Sequence, residues 1–161
     1  MKLLTDQAEK EAKAYIEIAA KTAKKATCAR AKCGSIIVKS NKIIGEGFNS
    51  PPLNLESQRR CSNSKNNYNS KITDKTCCIH AEQRAIMDAI QHNPNELTES
   101  TLYFIRLDEQ NQISKAGEPY CTICSKMALD SGVKEFVLWH KKGIHVYNTQ
   151  EYNDLSFKYQ N

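Results

Sequence analysis

Residues 77–90 read CCIHAEQRAIMDAI, and the fold turns on them. Ala81, Ala85, Ile86, Ala89 and Ile90 recur at the three- and four-residue spacing of a single helix face. The spacing predicts a helix from about Cys78 to Gln91. At its head stand Cys77, Cys78 and His80, with Glu82 two residues after the histidine. Two readings are open at this point. One is a buried helix start that carries a few polar side chains; the other is half of a metal site whose second half lies elsewhere.

Working outward, a long helix is expected over residues 5–26, where Ala8, Ala12, Tyr15, Ile16, Ala19, Ala20 and Ala23 share one face and Thr5 or Asp6 can cap it. CGSIIVKS (33–40) and KIIGEGFN (42–49) are β-rich runs around Ser40-Asn41, the pattern of a hairpin. TLYFIRL (101–107) and KEFVLWH (134–140) read as strands, with a loop at 110–119 between the first of them and a helix at 121–132 ended by Gly132. A short amphipathic helix is expected in NTQEYNDLSFKY (148–159), with Thr149 as its cap. Strands alternating with helices point to a layered α/β domain, one domain over residues 1–161. Residues 50–76 are rich in Pro, Asn, Ser and Lys without periodicity, and so long a loop in a compact domain reads as a functional lid.

Composition narrows the class. A hydrophobic fraction of 40% and a charged fraction of 25% suit a soluble globular chain, and no apolar run reaches the length of a membrane span. MKLLTDQAEKEAKAYI does not read as a signal peptide, because its apolar start is short and acidic residues follow at once, so a cytoplasmic location is the expectation. The net charge of +5 gathers in part at Lys21, Lys24, Lys25, Arg30 and Lys32, which reads more simply as a solvated helix face and loop than as a nucleic-acid surface. Seven cysteines, odd in number and unevenly spaced, favour metal ligands or free thiols over a disulfide framework.

The second half of the metal site is at EPYCTICSKMALDSG, where Cys121 and Cys124 form a C-x-x-C at a helix start. With His80 they supply three soft or borderline donors, the number a catalytic zinc prefers because the fourth tetrahedral position stays open. Both clusters fall at helix N-termini, where unpaired N–H groups and the dipole favour thiolates. Side chains two apart on a helix do not share a face, so Glu82 is expected beside the open position and not as a fourth ligand. A carboxylate there can take a proton from water and pass it to a leaving amine.

With His80-Ala81-Glu82 followed by Pro119-Tyr120-Cys121-Thr122-Ile123-Cys124, the chain resembles the zinc-dependent cytidine and deoxycytidylate deaminases, whose signature is H-x-E…P-C-x-x-C. TCARAKCGSIIVKSNKIIGEGFNSPP (27–52) is similar to the opening of deoxycytidylate deaminases, so the resemblance runs over about residues 5–140. It implies a three-layer α/β/α fold with a central mixed sheet of about five strands and helices on both faces. It implies one catalytic zinc on His80, Cys121 and Cys124, with Glu82 as the proton shuttle in attack at C4 of a cytosine. Asn49 occupies the place of a substrate-contacting asparagine, although a turn residue closing a strand explains it equally, and Ala81 joins it in the implied substrate contacts. The partner is then a small nucleotide or nucleoside, dCMP foremost, and the protein a homo-oligomer whose neighbours help close the pocket. Competing readings are a deaminase of bases in RNA or single-stranded DNA, a deaminase of another amino-heterocycle and, against the presence of Glu82, a zinc-bearing module without catalysis.

Three features depart from the family pattern. Tyr120 separates the proline from the first cysteine, and Arg84 stands where deoxycytidylate deaminases commonly have Asn. The third is the lid, whose Arg59-Arg60 could meet a phosphate or be only an exposed basic pair. Some members carry a second, structural zinc under the lid, and Cys28, Cys33, Cys61 and Cys77 are the candidate ligands here, with Cys78 a fifth thiol next to the catalytic helix and buried free thiols as the simpler reading.

Overall fold

The computed structural model describes residues 1–160. In chain order its elements are β1 (Lys2–Leu3), α1 (Asp6–Ala23), β2 (Lys32–Lys39), β3 (Lys42–Phe48), α2 (Ala81–His92), β4 (Thr101–Leu107), β5 (Ile113–Ser114), α3 (Thr122–Asp130), β6 (Glu135–His140), β7 (Gly143–Asn148) and α4 (Thr149–Phe157). The strands form one mixed sheet in the order β1-β7-β6-β4-β2-β3, with β5 paired to β4. Only β4 and β6 run parallel; every other pairing is antiparallel.

Period-two alternation sorts the core into two halves. Ile36, Val38, Tyr103, Ile105, Val137 and Ile144 point to one face, where Ala12, Ile16, Ala19 and Ala23 of α1 cover them. Ile37, Leu102, Phe136, Leu138 and Tyr147 point to the other, covered by Ala85, Ile86 and Ala89 of α2, Ala128 of α3 and Tyr152 of α4. The three layers are therefore α1, the sheet, and α2 with α3 and α4. Burying a residue such as Ile36, Ile37 or Phe136 contributes roughly 1.5–3 kcal/mol each before the entropy of ordering the chain.

Ser40 and Asn41 close the β2–β3 hairpin with both φ angles positive, 48° and 62°, the type I′ geometry that matches strand twist. Two glycines of β3 bring α2 unusually close. A Cβ at Gly45 would lie 2.3 Å from the Ala85 carbonyl oxygen, and one at Gly47 would lie 2.1 Å from that of Ala81. Glycine on the strand and alanine on the helix thus fix where the first turn of α2 sits.

The sheet has seven strands where about five were expected: five of six to eight residues, and β1 and β5 of two. The sequence reading passed over β7, whose apolar Ile144, Val146 and Tyr147 are interrupted by His145 and preceded by Lys141-Lys142. Helix α2 begins at Ala81 and not near Cys78, because Cys78 lies in a bend and Ile79 and His80 lead into the helix in extended chain, Ile79 bridging to Ser50. Asn148, not Thr149, caps α4, its side chain accepting the Gln150 N–H. Residues 51–78 hold only three single-turn 3-10 segments, Pro52–Asn54, Glu56–Gln58 and Lys65–Asn67. Among the described residues no helix is long and apolar enough to cross a membrane.

Candidate active site and metal centre

His80 stands in extended backbone immediately before α2, and its N–H donates to Gln83 Oε1 at 3.0 Å. That bond, half of a capping box, ties the residue that carries the imidazole to the first helical turn. Cys121 holds the same place before α3, its Sγ accepting the Cys124 N–H at 3.5 Å. Strands β4 and β6 are parallel neighbours, and α2 and α3, which lead into them, bring their N-termini to the same end of the sheet. The result is convergence from 41 and 44 residues apart: His80 Nδ1 lies 3.3 Å from Cys121 Sγ and 3.2 Å from Cys124 Sγ.

These donor atoms all lie within 4.8 Å of one another. Two thiols and an imidazole at helix N-termini suit zinc in ligand type and number, leaving one tetrahedral position for another group. Without an ion between them, the three groups share their protons unequally. The hydrogen bond from Cys124, then that from His80, brings the Cys121 thiol down to about 4. The partnership with Cys121 brings His80 up to about 9, and Cys124 is held well above the thiol range by Cys121 and by burial.

Glu82 is 5% exposed. Burial, then the negative charge of Cys121, pushes its carboxyl up to about 7, with His80 opposing. A carboxyl so placed can both accept and return a proton near neutrality. Glu82, His80 and Ala81 line one cavity of about 200 Å³ with Asn49, Phe104 and Tyr120. Burial, then Glu82 and Cys33, pushes the Tyr120 hydroxyl up to about 12, so it stays protonated at this wall.

Asn49 reaches the cavity with its amide already engaged: Oδ1 accepts the Cys33 N–H at 2.8 Å and Nδ2 donates to the Ala31 carbonyl at 2.9 Å. It ties the ends of β2 and β3 together, leaving one N–H and one lone pair to face inward. Arg59 and Arg60 are not brought to the cavity. Arg59 bonds Glu56 at 2.5 Å and the Thr27 carbonyl at 2.6 Å, while Arg60 folds back on Gln58. The basic side chains that do line it are Arg30 and Lys65. Arg84 turns to the base of the lid, donating to the Pro51 carbonyl at 2.8 Å.

Under the lid the thiols group differently from the expected set. Cys28, Cys61 and Cys78 have their sulphurs within 4.8 Å of one another, and Cys77 Sγ lies 3.3 Å from Cys61 Sγ. Cys33 is not in the group, because β2 carries it to the catalytic side, where burial and then Glu82 push its thiol up to about 12. Cys78 takes its place, held there by the Ile79–Ser50 bridge. Burial opposes ionisation of Cys61, but hydrogen bonds from the Ala29 backbone and the Cys77, Cys78 and Arg59 side chains bring it down to about 7. Gln83 is the residue sequence reasoning did not assign, while Cys78 stood there only as a fifth spare thiol. For Gln83 the signal was its place three residues after His80; for Cys78 it was adjacency to Cys77.

The family model described as the cytidine and deoxycytidylate deaminase zinc-binding region matches residues 9–140. A deoxycytidylate deaminase of Mycobacterium phage D29 is 27% identical over 129 residues, covering 76% of this chain and 89% of that one. A deoxycytidylate deaminase of Schizosaccharomyces pombe is 25% identical over 128 residues, covering 76% of this chain; the match spans 35% of the yeast protein's length. In structure the chain is similar to the dCMP deaminase of cyanophage S-TIM5 in complex with dCMP and dUMP. The TM-score is 0.56, with 23% identity over 83% of this chain and 82% of that one.

Proposed function

The chain belongs to the cytidine and deoxycytidylate deaminase family, and we propose that it is a hydrolase converting a cytosine nucleotide, dCMP, to dUMP with release of ammonia. Members of the family are hydrolytic enzymes acting on C–N bonds. The observation that carries the reading is Glu82, buried and lining one cavity with His80, on which Cys121 and Cys124 converge. The substrate follows from the deoxycytidylate deaminases it is similar to.

When bound by His80, Cys121 and Cys124, zinc supplies a Lewis-acid position and makes a water there acidic near neutral pH. Glu82 takes a proton from the attacking water as a C–O bond forms at C4. It then delivers that proton to the exocyclic amine, so that the C4–N bond breaks and ammonia leaves. Phe104 and Tyr120 on the cavity walls suit the flat face of a base. A second metal of the same class, held by Cys28, Cys61 and Cys78 with Cys77 beside them, is proposed as an anchor for the lid. A homo-oligomer is proposed as well; the exposed Met87 and Ile90 on the outer side of α2 are consistent with it.

The test is ammonia release screened over free bases, nucleosides, nucleotides and short single strands. Turnover of dCMP above the others supports the reading. Activity on an oligonucleotide but not on mononucleotides replaces it with a nucleic-acid deaminase, and an inactive zinc-loaded protein refutes it.

A further inference from the structure

We infer that Arg30, aided by Lys65, reads the 5′-phosphate of the substrate, an inference that rests on the nucleotide deaminase reading above. Fifteen residues line the cavity that holds Glu82, and Arg30 and Lys65 are the only arginine or lysine among them. Both are solvent-exposed, so they stand at the mouth while Glu82 and His80 lie within. A nucleotide whose base reaches Glu82 leaves its sugar and phosphate on the open side, where these two cations are.

Arg30 is also held ready. Its Nε donates to the Cys61 carbonyl at 2.8 Å and its Nη2 to the Asn63 carbonyl at 2.6 Å. A guanidinium has five N–H groups, so the two lid carbonyls leave three free, enough for the bidentate grip that suits a phosphate. Both acceptors are neutral, and Arg30 forms no ion pair among the described residues, so its charge is uncompensated. Lys65 is the weaker partner. It lies close enough to Asp74 to join Thr76 and His80 in lowering that carboxyl against the effect of burial, so a phosphate meets it in competition with Asp74. Arg59, by contrast, is satisfied by Glu56, and neither it nor Arg60 borders the cavity. The carbonyl that fixes Arg30 belongs to Cys61, whose sulphur is at the centre of the lid thiol group, so the thiols position the phosphate reader.

The experiment compares kcat/KM on dCMP and on deoxycytidine for the parent protein, Arg30→Gln, Arg30→Lys and Lys65→Met. The parent is expected to prefer dCMP by at least ~10-fold, and Arg30→Gln to cut that ratio by ~10-fold, the worth of one charge-assisted contact. Arg30→Lys, which keeps the charge but loses the fork, retains part of the ratio, and Lys65→Met lowers it less than Arg30→Gln. Affinity for dUMP over deoxyuridine, measured by calorimetry, is expected to follow the same order and needs no turnover. A ratio unmoved by Arg30→Gln overturns the inference, as does an equal fall on both substrates, which would mean that Arg30 only ties down the lid. A ratio that follows Arg59→Ala or Arg60→Ala instead overturns it too. Failure of the parent protein to deaminate either compound refutes the deaminase reading separately, and the calorimetric comparison then decides for or against Arg30 alone.

Discussion

Gly47→Ala puts a methyl group against the turn of helix that carries the chemistry. The added Cβ would sit 2.1 Å from the Ala81 carbonyl oxygen, 2.4 Å from the Ala85 nitrogen and 2.9 Å from Arg84 Cβ. Ordinary contacts of this kind begin near 3.4 Å, so the start of α2 has to retreat by about 1 Å. The atoms it meets first are backbone, which cannot rotate aside. His80 and Glu82 ride on that turn, and His80 Nδ1 is only 3.2–3.3 Å from two sulphurs contributed by a different helix. Misplacement by about 1 Å costs on the order of 10²-fold in rate, and overpacking costs roughly 1–3 kcal/mol of stability. Zinc content, turnover and the urea midpoint of Gly47→Ala are to be measured beside Gly117→Ala, where nothing lies within 4 Å of the added methyl. Turnover and zinc content in Gly47→Ala equal to those of Gly117→Ala would refute the claim that this glycine sets the site's geometry.

Glu82→Ala is expected to keep its catalytic zinc by metal analysis while losing ~10²–10⁴-fold or more in turnover, whereas Cys121→Ala and Cys124→Ala lose the metal too. The folded-state carboxyl of Glu82 is raised from 4.5 to about 7. Its contribution to stability is therefore fully present below pH 4.5 and is lost as the pH climbs through 7. In metal-stripped protein, urea midpoints for the parent should consequently fall relative to Glu82→Gln between about pH 5 and 7, by up to ~3 kcal/mol; parallel profiles would contradict the burial argument. Cys61→Ser is expected to lower the metal content of purified protein from about two ions per chain towards one, and a parent value near one would remove the lid metal from consideration.

Legibility followed range. The ligands His80, Cys121 and Cys124 and the position of Glu82 were suggested by short spacings at two helix starts, and the structure brings the three donors together. The hairpin turned at Ser40-Asn41 was equally plain, since an I′ turn is a two-residue event. What escaped depends on how distant segments pass each other. Cys33 and Cys78 exchange roles because strand direction carries one to the catalytic side while the bridge at Ser50 holds the other under the lid. Arg59 and Arg60 look like anion ligands in a string of letters, but local acceptors engage both. β7 was missed because an antiparallel strand flanked by lysines and split by a histidine departs from clean alternation.

The lid begins and ends at one point, since Ser50 and Ile79 are paired as a β-bridge and the Ile79 N–H donates to the Ser50 carbonyl at 3.0 Å. The insert is thus anchored to the scaffold at its two ends, and bonds from Arg84 to Pro51, from Arg59 to Thr27 and from Arg30 to Cys61 and Asn63 tie it down along its length. Each doubling of loop length adds only about 0.6 kcal/mol of closure entropy. A change of length in the exposed stretch 69–73 therefore costs the fold little, while a change at Cys61, Lys65 or Cys77 reaches the cavity that holds Glu82.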